Sequence, residues 1–158
     1  YTVFKFFKKD DMSRLGEFND AYLERLWAAK AYAHADAYER LLNTFSSKSK
    51  IRLTKIDDEI YTHFRTEFPD LDITNFDYEE SKLEANKEKW RAFANKYSDE
   101  TVKDFNMATL MRLNALEEFS PDNSCIVLRI QFHAIEIARN REGINEKRVV
   151  QKDEETKA

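Results

Sequence analysis

Residues 126–143 read IVLRIQFHAIEIARNREG, an apolar run that passes directly into a dense charged string and stops at Gly143, one of two glycines in the chain. How this stretch is read decides the fold. Ile126, Leu128, Ile130, Phe132 and Ala134 fall on alternate positions, the period of a strand with one buried face. Past Ala134 the alternation breaks, because Ile135 and Ile137 would turn to the opposite face. A helical turn from about His133 instead gathers Phe132, Ile135 and Ala138 on one side and Glu136, Arg139 and Asn140 on the other. Gly143 then stands where a helix end takes a left-handed residue. Residues 127, 130, 134, 137 and 141 also suit one continuous helix, so both readings stay open here.

Working upstream, the string EEFSPDNS at residues 117–124 supplies turn formers in Pro121, Asp122 and Asn123. Before it, Phe105, Met107, Met111 and Leu113 fall on alternate positions with Thr109 between them, a second period-two segment. Two adjacent strands predict a hairpin. A hairpin alone is marginal in water, so it must lay its apolar face on helices. Those helices precede it. From Asp20 to about Phe45, the residues Tyr22, Leu26, Ala29, Ala33, Ala37, Leu41 and Phe45 recur at three- and four-residue steps, predicting a long amphipathic helix. After SSKSK, Thr54 with Asp57 resembles a capping box, and Ile56, Ile60, Phe64 and Phe68 form an apolar stripe that Pro69 ends. Asp77 with Glu80 repeats the capping logic for a third helix, whose inward residues would be Leu83, Trp90, Phe93, Ala94 and Tyr97. The expected fold is α+β: a mainly helical single domain, with three to five helices packed on a small antiparallel β-hairpin.

Length and composition agree. A chain of 158 residues, 42% hydrophobic and 13% aromatic, can bury a core and fits one domain, here placed at residues 20–145. Residues 1–19 are expected to form a partly flexible extension. Met12 followed by Ser13 reads like a natural start, which leaves residues 1–11 as either an appended segment or a true extension. Residues 146–158 are mostly charged and predict a flexible tail. The net charge of −4, with 26 basic and 30 acidic residues intermixed, lacks the basic excess that dominates binding to a phosphate backbone, so direct nucleic-acid recognition is not expected. No run reaches the roughly 18 residues needed to span a bilayer, so no membrane association is expected. The single cysteine, Cys125, sits among apolar residues as a small buried hydrophobe, which fits a reducing, cytoplasmic location.

Catalytic signals are sparse. Glycines only at Gly16 and Gly143 leave no phosphate loop, dinucleotide fingerprint or nucleophile elbow of the usual kind. His34, His63 and His133 are far apart in sequence and form no zinc spacing, so neither a metal nor a cofactor is expected. A Cys125–His133 dyad lacks an orienting partner. The carboxylates Asp57, Asp58 and Glu59 are accounted for by a helix N-terminus. Trp90 beside Arg91 lies on a core stripe rather than on a binding platform.

Four strings carry a resemblance: LTKIDDEIYTHF at residues 53–64, KEKWRAF at 87–93, VKDFNMATLMRL at 102–113 and LRIQFHAIEIARNREGIN at 128–145. Together, and in this order, they resemble the eukaryotic polysaccharide biosynthesis domain-containing protein 1 family over about residues 30–147. The segment before Met12 is not part of that pattern, and the tail is short. The resemblance implies a non-enzymatic, cytoplasmic chaperone that binds the nascent GTPase domain of translation elongation factor 1-alpha, with the translating ribosome as a further contact. GTP would then belong to the client, and this chain would carry no cofactor. Such a chaperone needs a higher affinity for the incompletely folded client than for the mature one.

The implied partner surface uses polar members of the matched strings: Arg129, Glu136, Arg139, Asn140 and Arg141. Guanidinium forks and amides at a surface favour specificity and fast association. The competing reading pairs Glu136 with Arg139 or Asn140 along a helix, or ties Arg129 and Glu136 into an internal ion-pair network. Two other functional classes remain: a non-catalytic interaction module on ribosomes or other assemblies, and a polysaccharide biosynthesis enzyme, against which the scarcity of glycine argues.

Overall fold

The computed structural model describes residues 21–148. Five helices and a two-stranded antiparallel sheet form one small α+β domain. In chain order they are α1 (Ala21–Thr44), α2 (Asp57–Glu67), α3 (Tyr78–Ser81), α4 (Glu84–Ala94), β1 (Ala108–Arg112), β2 (Ser124–Leu128) and α5 (Arg129–Arg141), with single 3-10 turns at Lys48–Lys50 and Asn145–Lys147. The expected start at Met12, the extension over residues 1–19 and all but the first three residues of the charged tail lie outside the described residues. Those first three are engaged: Glu146 accepts the Lys48 amide at 2.5 Å, and Arg148 pairs with Glu39.

The opening stretch resolves as strand followed by helix, with the change four residues earlier than expected. β2 ends at Leu128 and α5 begins at Arg129, so Ile130, Phe132 and Ala134 are helical. Their alternation fits a helix because this helix is buried on nearly every side. It packs against β1, β2, α2 and α4, and Ile130 and residues 132–140 are all buried. The Gln131 side chain accepts the Leu128 amide at 2.8 Å to close the first turn. At the other end Gly143 takes φ +78°, the expected left-handed cap, and the Ile144 amide returns to the Arg139 carbonyl at 2.9 Å.

The hairpin pairs Ala108 with Leu128 through to Arg112 with Ser124. It is shorter than expected, since Phe105 and Met107 precede β1 and Met107 is exposed. β1 has no solvent face. Leu110 joins a cluster with Trp27, Ala28, Ala31 and Ala35 of α1, while Met111 belongs to the main core. These α1 residues correct the expected stripe by about one position: Leu26, Ala29, Ala33, Ala37 and Phe45 are exposed, and Trp27, Ala28, Ala31, Ala35, Tyr38 and Leu42 are buried. The three buried alanines, Ala28, Ala31 and Ala35, lie between Trp27 and Tyr38 and let α1 approach the sheet closely.

α2 follows expectation, burying Ile60, Phe64 and Phe68, although its capping differs. Asp57 is the first helical residue, and its carboxylate accepts the Leu53 and Thr54 amides at 2.8 and 2.7 Å, tying the incoming chain to the helix. Asp77 caps the next helix as expected, accepting the Glu80 amide at 2.9 Å. That helix breaks after one turn, however. The Ser81 hydroxyl bonds the Tyr78 carbonyl and the Asn86 amide bonds the Glu80 carbonyl, local bonds that compete with the helical ladder. Leu83 turns extended and is exposed, correcting its inward assignment, while Trp90, Phe93 and Ala94 are buried as expected. Phe68 and Trp90 stack at 4.1 Å between centroids, and Phe93 stacks on His63 at 4.2 Å.

Candidate functional site

The charged string at the end of α5 faces inward. Glu136 and Arg139 are 0% exposed and Asn140 is 2% exposed, which overturns the expectation that these three present a polar surface. Their partners arrive from four separate segments. The Tyr38 hydroxyl of α1 donates to Glu136 Oε2 at 2.7 Å. Arg112, the last residue of β1 and also fully buried, places Nη2 at 3.1 Å from both Glu136 oxygens. Arg139, one helical turn on from Glu136, donates Nη1 to Oε1 at 2.7 Å. Asn145 Nδ2 donates to Oε2 at 3.1 Å and to Asn140 Oδ1 at 2.7 Å, and Asn140 Nδ2 reaches the Tyr38 hydroxyl at 3.2 Å.

Two guanidinium groups thus share one carboxylate, and backbone carbonyls take up the excess of donors. Arg139 Nε donates to the Ile73 carbonyl at 2.6 Å, its Nη1 and Nη2 each reach the Arg112 carbonyl at 3.1 Å, and Arg112 Nη1 donates to the Ala115 carbonyl at 2.6 Å. Within this network Arg112 Nε is the one buried side-chain atom without a partner. Burial by itself would raise the Glu136 pKa. The charges of Arg112 and then Arg139, with the Tyr38 and Arg139 hydrogen bonds, outweigh it and hold the carboxyl at about 2. Burial, followed by the neighbouring Glu136 charge, pushes the Tyr38 hydroxyl well above 10. A carboxylate this firmly ionised and sealed from solvent is a structural anchor that ties α1, β1, α5 and the segment after α5 together. The expected pairing of Glu136 with Arg139 along the helix holds, but the internal partner from outside it is Arg112, not Arg129.

The other two expected site residues flank this anchor and reach solvent. Arg141 is 27% exposed and donates to Asp58 of α2 at 2.5 Å, with its guanidinium 5.3 Å from the Tyr61 ring. That hydrogen bond, with the Arg141 charge, lowers the Asp58 pKa. Glu142 beside it accepts Arg65 through two bonds at 3.0 and 2.6 Å. Arg129, 23% exposed at the opposite end of α5, makes a looser pair with Asp104 at 3.6 Å, and its Nε has no partner. The five expected residues therefore do not form one surface: three lie in the core, and two stand at opposite ends of the helix.

Arg112, Tyr38 and Asn145 complete the network and were not singled out in the sequence. The signal for Arg112 was a lone arginine inside the apolar strand LMRL; nothing local marks the other two. Among the described residues, no group of three or more His, Cys, Asp or Glu is placed to hold a metal ion, and no helix is long and apolar enough to cross a membrane.

Comparison with known proteins follows the same segments. A family profile described as PBDC1 protein matches residues 23–150. The human Protein PBDC1 is 46% identical over 127 residues, which cover 80% of this chain and 54% of the human protein. The mouse protein of that name is 44% identical, with 63% of its length covered, so the chain spans less than two thirds of these mammalian relatives. The Saccharomyces cerevisiae homologue is 40% identical over 134 residues and is covered for 90% of its length. A solution NMR structure of a Saccharomyces cerevisiae protein, 37% identical, superposes with a TM-score of 0.71 over 84% of this chain and 94% of that one.

Proposed function

The chain belongs to the PBDC1 protein family, and on that premise we propose that it is a cotranslational chaperone for the nascent GTPase domain of translation elongation factor 1-alpha. The observation that carries this reading is the match of residues 23–150 to the family whose strings the sequence contains. The chain binds rather than catalyses, acts in the cytoplasm, and leaves GTP to its client. A folded chaperone that meets an incompletely folded partner must not exchange core contacts with it. The closed network around Glu136 suits that demand, because opening it strands buried charges.

Client contact then falls to side chains that reach solvent. Arg129 and Arg141 supply guanidinium groups at the two ends of α5, and Leu26, Phe45, Leu83 and Met107 supply exposed apolar surface. Glu136, Arg139 and Asn140 hold the scaffold and touch no client. The test is a pulldown from a translating lysate, comparing the unmodified chain with an Arg129→Ala, Arg141→Ala double variant whose fold is confirmed by circular dichroism. Recovery of nascent elongation factor 1-alpha by the unmodified chain, reduced in the variant, supports the reading. Recovery of mature factor as readily as nascent factor makes the protein an interaction module instead, and recovery of neither removes the client assignment.

A further inference from the structure

We propose that the cleft between α1, residues 53–55, residues 99–103 and the first turns of α5 is a binding site for a phosphate monoester. The cleft measures about 480 Å³, and His34, His133, Arg129, Lys55 and Lys103 line it together with the Thr54 and Thr101 side chains. Sequence spacing gave no hint of this meeting, since His34 lies in α1 and His133 in α5.

Three features mark a site rather than a gap in packing. His133 is 7% exposed, and its buried Nδ1 has no hydrogen-bond partner. A buried polar atom left unsatisfied is uncommon and costly, and turning the His133 ring towards the cleft would let a ligand satisfy it. Arg129 shows the same defect, with a buried, unpartnered Nε and only a loose pair to Asp104 at 3.6 Å. His34 is oriented by the Thr109 hydroxyl at 2.9 Å from Nδ1, which leaves Nε2 for the cleft, much as an outer partner orients a ligating histidine.

The chemistry of these groups selects an oxyanion. A guanidinium fork, two imidazoles and two ammonium groups converge as donors, and a tetrahedral phosphate presents enough acceptor oxygens to meet several at once. Of the carboxylates nearby, Asp99 accepts the Asp104 amide at 3.1 Å, and Asp104 pairs with Arg129 at 3.6 Å. Glu100 is exposed. Both imidazoles have pKa values lowered to about 4 and are neutral near pH 7. Burial is the main cause for each, followed by Arg129 for His34, and by His34 and then Arg129 for His133. Asp57 opposes the shift at His133, and Lys55, Lys103, Asp99 and Glu100 complete the charged groups around the pair. A phosphate dianion opposes these shifts and raises both pKa values, so binding below about pH 6.5 takes up protons.

The experiment is an NMR titration of the His34 and His133 imidazole resonances in the full chain with inorganic phosphate, using chloride at matched ionic strength as control. The expected result is a saturable shift of both resonances, with both pKa values raised towards the ordinary histidine value. Phosphate affinity should drop about tenfold in Arg129→Gln and several-fold in Lys103→Gln, the latter at an exposed position that leaves the fold intact. A phosphoserine peptide in place of inorganic phosphate separates the sources: much tighter binding assigns the group to a protein, equal binding to a small molecule. Resonances that do not move, move equally with chloride, or respond unchanged in both variants overturn the proposal.

Discussion

The two ends of α5 treat buried polar groups in opposite ways. In the last turns, Glu136, Arg139 and Asn140 are withdrawn from solvent and nearly every donor and acceptor is matched. In the first turns, His133 is also withdrawn while Arg129 is partly exposed, and Arg129 Nε and His133 Nδ1 have no partner. The same helix on the same core carries both arrangements, so the difference lies in what neighbouring segments bring. Tyr38, Arg112 and Asn145 close the network at one end, whereas at the other the chain opens into a cleft. Matched buried charges define one arrangement of the fold; unmatched ones leave interaction free energy for something outside it.

The largest effect should come from breaking the matched end. Glu136→Ala leaves two guanidinium groups facing each other without a counterion, and a loss of about 3–5 kcal/mol or more is expected in urea unfolding. Retention of stability within about 1 kcal/mol would mean that the network is not closed.

Acid should reach the cleft end next. Histidines whose folded pKa is about 4, against 6.5 unfolded, leave the unfolded chain binding more protons. The stability they confer is therefore complete above about pH 6.5 and is lost as pH falls towards 4. Glu136, lowered to about 2 from 4.5, extends the loss through pH 4.5 to 2. Thermal melting across this range should show decline beginning in the histidine window, and His133→Gln should remove part of that first phase. A flat profile between pH 6.5 and 5 would contradict the burial of the pair.

A smaller effect is expected for Tyr38→Phe, which removes one of several donors to Glu136 and leaves Asn140 Nδ2 without its acceptor. The expected loss is about 1–3 kcal/mol, because the carboxylate keeps both arginines. A loss as large as that of Glu136→Ala would show that the hydroxyl, rather than the cations, holds the network together.

Much of the fold could be read from local pattern. The Ile60, Phe64 and Phe68 stripe, the Asp77 cap, the left-handed Gly143 and the two strands depend on neighbours within a few residues, and sequence displays those directly. The α1 face was misread because alanine occurs on both sides of that helix: Ala28, Ala31 and Ala35 are buried, while Ala29, Ala33 and Ala37 are exposed. Periodicity cannot separate two stripes of the same residue. The start of α5 is ambiguous in sequence because Ile130, Phe132 and Ala134 suit a half-buried strand and an all-round buried helix alike. The site was least legible. Charged residues at helical spacing resemble a solvated face until partners are known, and the partners of Glu136 come from Tyr38, 98 residues away, and Arg112, 24 residues away. The same distance in sequence hid the meeting of His34 with His133.

The central claim, that the charged string of α5 is core and its flanks are surface, is tested most directly two residues apart on one helix. Urea unfolding of Arg139→Ala beside Arg141→Ala should show a loss of about 3–5 kcal/mol for the first, which strands Glu136 with a single guanidinium and empties a buried volume. The second removes a solvent-exposed pair with Asp58 and should cost under about 1 kcal/mol. Equal losses, or a larger loss at Arg141, would contradict the account.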